Sequence, residues 1–251
     1  MSAIDLATPI TSAMIPAMKA AGIEAVCRYL SNNAAKNLSI IEARLLSDAG
    51  INIVLVWEAA GDRYDSFTET QGIIDAQRAV AQAKTLGAPP RAAIYFAVDF
   101  DATDAQIGQG ITGYMKRVAG IMSPSGYRLG VYGNGAVCKA MLDTGIADLA
   151  WVWGAGGTNG TAAFVASGRW AIRQHPTIRE FGVSVDPDDV QGDYGGWRLP
   201  SAGQVYPADI VPDAMTLQGA LKAAGLYQGA IDGVWGNQSQ AALAAYYRRS
   251  A

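Results

Sequence analysis

Short apolar runs recur along most of the chain, and helical patterns separate the first five of them. "AIDLA" (3–7), "AVCRYL" (25–30), "INIVLVWEAA" (51–60), a run at 92–101 and "RLGVYGN" (128–134) have the length and bounding turn residues of strands. Between them lie a segment at 11–21 stopped by Gly22, "SIIEARLLSDAG" with Ser39 and Glu42 spaced as a capping box, and a helix over 69–86 stopped by Gly87. A further helix starts at Asp101 or Thr103 and runs to about Met122, and another covers 136–143. The remaining strand candidates are 148–156, 169–175 and 181–186. Consecutive strands joined through helices pair in parallel, because only a crossover returns the chain to the same end of the sheet. Eight such strands, several ending in an acid, point to an α/β TIM-like barrel rather than an open doubly wound sheet. Only five residues separate His175 from Phe181, while a parallel crossover needs about a dozen. An irregular barrel whose last strands lack full helices is therefore expected.

The 251 residues are half hydrophobic and only 16% charged, enough for one large core and a small second unit. A net charge of −3 without a basic stripe argues against a nucleic-acid partner. No apolar run approaches the ~20 residues of a membrane helix, so no membrane partner is expected. Cys27 and Cys138 each sit in an apolar run and read as buried free thiols. The single histidine, His175, argues against His-dependent zinc hydrolases and against Ser-His or Cys-His triads without excluding them, and no cofactor or metal is called for. "VYGNGAVC" follows a strand as a dinucleotide fingerprint would, but Cys138 occupies its third glycine position. The start lacks a basic segment followed by a long apolar one, so synthesis in the cytoplasm without a signal peptide is expected. From Gly192 the composition turns Gly- and Pro-rich. The expected domains are a barrel over 1–197, a linker over 198–213 and a small all-α helical module over 214–251. So short a module has little core of its own; it either packs on the barrel or is supported by its ligand.

Asp99 and Asp101 lie two residues apart and so project from one face with Tyr95 and Ala97, while Phe96, Val98 and Phe100 face the helices. Glu58 continues the face of Val54 and Val56, and Asp5 and Asp186 close the first and last strands. One such acid is ordinarily a cap or a turn residue; four strand ends converging in a barrel make a carboxylate bowl. Paired carboxylates suit glycoside hydrolysis, and a hard divalent cation is the rival occupant. Arg28, Tyr132, Trp151, Trp153 and Gln174 fall at or near strand ends and offer a sugar platform. Core packing is the alternative for Trp151 and Tyr95.

"IDLATP", "CRYL", "VWEA", "YFAVDFDAT", "VYGN", "WAIRQH" and "VSVDPDD" together resemble the glycoside-hydrolase-like family related to the family 25 lysozymes. "LQGALKAAGLYQGAIDGVWGNQSQAAL" resembles a peptidoglycan-binding domain of the three-helix type. The resemblance implies a phage endolysin, a monomeric muramidase that cleaves peptidoglycan after holin-type or other lysis-dependent release. Its catalytic set would be Glu58, Asp99, Asp101 and Asp5. Asp186, Arg28, Tyr132, Trp153 and Gln174 would bind substrate, and Tyr227, Asp232 and Trp235 the wall. Family 25 lysozymes carry Asp-x-Glu where Asp99 and Asp101 stand, so Glu58 is the favoured acid. A wall-binding barrel without hydrolysis and a metal-dependent hydrolase are the alternatives.

Overall fold

The computed structural model describes residues 1–154, 156–200, 212–234 and 236–249. Seven parallel strands form most of a ring: β1 (Ala3–Asp5), β2 (Ala25–Leu30), β3 (Asn52–Trp57), β4 (Ala93–Ala97), β5 (Arg128–Gly133), β6 (Leu149–Val152) and β7 (Ile172–Gln174). Each of the first six pairs with its successor, the chain passing through α1 (Ile15–Ala20), α2 (Ile40–Asp48), α3 (Glu69–Thr85), α4 (Asp104–Gln106) with α5 (Thr112–Met122), α6 (Gly135–Asp143) and α7 (Thr161–Ala166) in turn. A π-helical turn, Ile107–Ile111, joins α4 to α5, and Thr103 caps the run with a capping box to Gln106. At Ser39 only half of the expected box forms. Its hydroxyl accepts from Glu42 N–H, but the Glu42 side chain is drawn inward to Arg28.

After β7 the chain has no room for a crossover and turns back. β8 (Ile178–Glu180) forms a hairpin with β9 (Val183–Val190), and β9 runs antiparallel to both β7 and β1, closing the ring. The two-residue turn Phe181-Gly182 has φ of 52° and 81°, the left-handed geometry that matches strand twist. The eighth barrel strand is thus reversed and extends to Val190, four residues past its expected end.

Alternation sorts the β4 side chains as expected. Phe96 and Val98 join the layer between strands and helices, whereas Tyr95 and Ala97 join the barrel interior with Cys27, Val54, Val56, Tyr132 and Trp151. Tyr95 packs edge-on against Trp151 at 5.9 Å, and Tyr132 does so at 5.0 Å. A Cβ on Gly130 would lie 2.4 Å from the Tyr95 ring, so only glycine leaves that ring its place. Burying each of these aromatics contributes about 2–3 kcal/mol. Both cysteines are buried and free.

The chain then straps the bottom of the barrel. Ala93 N–H donates to Gly195 O, Trp197 pairs with Ile53, and Tyr95 Oη–H donates to Tyr194 O. The strap reaches Leu199 and Pro200, which are held by Ser47 and Arg44, so it extends three residues into the expected linker. The remainder of that linker, apart from its last two residues, lies outside the described residues. The tail carries two described helices, α8 (Pro212–Ala223) and α9 (Asn237–Arg249). Leu217, Leu221, Tyr227, Ala242 and Leu243 form its small core, which Ile40 and Ile41 of the barrel complete. Among the described residues no helix is long and apolar enough to cross a membrane.

Candidate active site

The strands' C-terminal ends surround a cleft of about 270 Å³ lined by Asp5, Tyr29, Glu58, Asp99, Tyr132, Trp151, Trp153, Gln174, His175, Thr177 and Asp186, among others. Asp5 ends β1. Glu58 follows β3 and is fixed by its N–H to Leu30 O, 3.0 Å, while Asp99 follows β4 and is fixed by its N–H to Gly61 O, 2.7 Å. Asp186 sits mid-way along β9 directly opposite Asp5. It reaches the bowl because β9 is reversed. Four acids far apart in sequence therefore share one cleft.

Asp5 is only 1% exposed although it lines the cleft. Tyr29 Oη–H donates to its Oδ1 at 3.0 Å and Gln174 Nε2–H to its Oδ2 at 2.8 Å; Tyr132 Oη–H donates in turn to Gln174 Oε1 at 3.0 Å. Burial pushes the Asp5 carboxyl up to about 7, and the charge of Asp186 adds to the rise against the bonds from Gln174 and Tyr29. Burial also raises Asp99, and the nearby charges of Glu58 and Asp62 reinforce it; Lys36 and Tyr132 oppose it. Tyr29 and Tyr132 are pushed well above the usual phenol range, chiefly by burial, so both remain hydrogen-bond donors. At the rim, Lys36 Nζ donates to Glu58 Oε1 at 2.7 Å and lies 4.6 Å over the Tyr29 ring. Thr177 Oγ1–H donates to Asp186, and His175 shares a hydrogen bond with Asp189 at 2.8 Å.

Two expected members are elsewhere. Arg28 is fully buried on the outer face of β2, where its Nε donates to Glu42 Oε1 at 2.6 Å and its Nη1 to Leu6 O at 2.5 Å. Cys27 and Tyr29 point inward, so alternation turns Arg28 away from the cleft. Asp101 is an exposed loop residue whose Oδ1 accepts from Asn134 Nδ2 and Asn159 N–H, each at 2.8 Å. β4 ends at Ala97, and its alternation does not carry four residues further. Trp151 takes both readings at once, packed in the interior and lining the cleft floor.

Tyr29, Lys36 and Thr177 are the members of the site that sequence reasoning missed. Tyr29 was readable from the alternation of β2. Lys36 comes from the bend before α2 and carries no periodic signal. Among the described residues, no group of three or more His, Cys, Asp or Glu is arranged to hold a metal ion. In the tail, Tyr227 is core, its hydroxyl donating to Ala230 O. Asp232 holds its own turn, accepting from Gln218 Nε2 and Val234 N–H, and Trp235 lies outside the described residues.

The sequence profile of the Rv2525c-like, glycoside hydrolase-like domain matches residues 16–191. The chain belongs to that family. An uncharacterized Bacillus subtilis protein, YbfG, is 29% identical over 230 residues, covering 85% of this chain and 31% of its own length. A second, FadG, is 30% identical over 184 residues, covering 70% and 32%. The chain thus spans about a third of the curated relatives it matches. The Tat-secreted Rv2525c of Mycobacterium tuberculosis, solved with HEPES, has a TM-score of 0.66 at 22% identity, covering 77% of this chain and 97% of that one. An L-tartrate complex of it gives 0.65 with the same identity and coverage. An uncharacterized B. stearothermophilus protein gives 0.57 at 19%, covering 75% and 95%. These likenesses establish a glycoside-hydrolase-like barrel. The Rv2525c-like match begins after β1 and ends before the tail, so Asp5 and the helical module both fall outside it.

Proposed function

We propose that this Rv2525c-like barrel is a peptidoglycan hydrolase that cuts glycan strands as a muramidase, by carboxylate acid/base catalysis. The observation that carries the reading is the convergence of Asp5, Glu58, Asp99 and Asp186 on one aromatic-walled cleft. Asp99 is the proton donor. Burial and the charges of Glu58 and Asp62 push its titration up from the ordinary carboxylate value, the direction that protonation of a leaving glycosidic oxygen requires. Glu58, engaged by the Lys36 ammonium, is the partner that assists water or the oxocarbenium-like centre. This exchanges the roles expected from sequence. Asp5 and Asp186 orient the sugar or the attacking water, Trp153 supplies the face on which a pyranose stacks, and Tyr132 and Trp151 form the cleft floor beneath it. The helical module, packed on α2, adds affinity for the wall, and the whole acts on peptidoglycan as a monomer after export or lysis.

The test is digestion of purified sacculi with mass spectrometry of the soluble products. New reducing ends are expected; peptide or amide cleavage without them would overturn the assignment. A second reading is supported by Asp101, whose place as the strand-four acid is given up to loop bonding. In that reading the barrel binds glycan without cutting it. Sacculus pull-down with no released product would select it.

A further inference from the structure

Beneath Asp5 lies a second carboxyl, Asp188, which the proposed reaction does not use and which is fully buried. In the β1–β9 register Asp188 faces Ala3 and Asp186 faces Asp5, so Asp188 lies one pleat deeper on the same inner face. The titratable groups around it are Asp5 from β1, Cys27 from β2, Tyr132 from β5 and Asp186 on its own strand; Trp151 of β6 also reaches it, and Gln174 of β7 stands directly opposite, its Nε2–H given to Asp5. None is a cation. Trp151 Nε1–H donates to Asp188 Oδ1 at 3.0 Å, but among the described residues Oδ2 has no donor. A buried carboxylate oxygen left bare, with no cation nearby, is among the costliest arrangements a core can hold. What Asp188 does meet is the Asp5 carboxyl, which lies within hydrogen-bonding reach and already accepts from Tyr29 and Gln174. Two acceptors bond to one another only with a proton between them.

We propose that Asp188 is a positioning residue that keeps its proton through the working pH range and donates it from Oδ2 to Asp5, fixing the Asp5 carboxylate in the cleft. The orphaned oxygen is then a satisfied donor, and the buried pair carries one negative charge rather than two. The direction of titration agrees. Burial, then the charge of Asp5, pushes Asp188 well above the carboxylate range, whereas the bond from Asp188 holds Asp5 lower than burial alone would. Only the kinetic part of the test rests on the proposed hydrolysis.

The experiment compares the full chain with Asp188→Asn and Asp188→Leu. An amide at this position accepts from Trp151 and donates to Asp5 as the neutral acid does; leucine cannot. Infrared difference spectra of the unsubstituted chain should keep a protonated-carboxyl C=O band at about pH 8, well above the ordinary carboxylate range. That band should vanish in Asp188→Asn and persist in Asp5→Asn. Carboxyl NMR should place the Asp5 titration in Asp188→Asn near that of the unsubstituted chain, and in Asp188→Leu roughly one pH unit higher. Sacculus hydrolysis should stay within roughly threefold in Asp188→Asn and fall at least about tenfold near neutral pH in Asp188→Leu. Absence of the band at that pH, or an Asp5 titration in Asp188→Asn that moves as far as in Asp188→Leu, would overturn the proposal. If leucine prevents folding, the spectrum and the Asn variant still decide. If no form hydrolyses sacculi, the proposed function fails while the band and the Asp5 titration decide this inference.

Discussion

Replacing Asp5 with asparagine should stabilise the protein near and above neutral pH, by an amount that grows with pH. The unfolded chain releases the Asp5 proton near its ordinary 3.8, whereas the folded protein holds it to about 7. Between those values the folded state binds more protons, so stability falls as pH rises; below about 4 there is no penalty, and above about 7 it is complete. At about 1.4 kcal/mol per pH unit, the full penalty is about 4 kcal/mol. An amide carries no charge and escapes it. Against that gain, Gln174 must flip to present its oxygen, and losing one bond of the Tyr132–Gln174 chain together with the bond from Asp188 costs about 2 kcal/mol. The net expectation is about 2 kcal/mol in favour of Asp5→Asn at about pH 8, reversing to about 2 kcal/mol against it near pH 4. Urea unfolding at a series of pH values reads this directly. A difference that stays constant with pH, or a variant that loses ground as pH rises, would refute burial as the cause of the raised titration.

Three further outcomes follow from the contacts. Asp99→Asn and Glu58→Gln should each lower sacculus hydrolysis at least about 100-fold with little change in melting temperature; near-normal turnover in both would move the chemistry elsewhere. Arg28→Met strands the buried Glu42 carboxylate and should cost about 3–5 kcal/mol in denaturant unfolding with unchanged turnover of the folded fraction, whereas weakened substrate binding at full stability would return the guanidinium to the cleft. Deleting residues 201–251 uncovers Ile40 and Ile41 and should lower unfolding free energy by about 1–3 kcal/mol while sparing turnover of soluble glycan fragments; an unchanged stability would mean the tail covers nothing the barrel needs.

The period-two pattern made the interior of β4 legible, since Tyr95 and Phe96 must take opposite faces whatever surrounds them. The same pattern, applied to β2, puts Cys27 and Tyr29 inside and Arg28 outside; the attraction of a cation for a sugar site obscured it. The short span after His175 announced that no crossover could follow, but not that β9 would run backwards. With that direction unknown, a strand read as ending at Asp186 hides Asp188, which reversal places deeper in the barrel rather than beyond it. Glu42 read as half of a capping box because local spacing fits one; the buried guanidinium of Arg28, fourteen residues away, and the N–H of Ile10 draw its carboxylate away from Ser39. Asp101 failed for a related reason. Where a strand stops is set by where its ladder ends: Ala97 is the last residue of β4 in register with β5, Val98 N–H makes the final bond to Tyr132 O, and Asp99 N–H has already turned to Gly61 O. The bowl was readable because strand ends are. Its rim, from Lys36 to Thr177, belongs to bends whose geometry no periodicity encodes.

Digestion of sacculi in water enriched in heavy oxygen probes the central claim most directly, because the atom taken from water marks the bond that was cut. Muropeptides released by this protein should carry the label on the anomeric carbon of a new reducing-end muramic acid, and the Asp99→Asn form should release almost none. Label found instead in a peptide carboxyl group, or reducing ends released equally well by the Asp99→Asn form, would contradict the account.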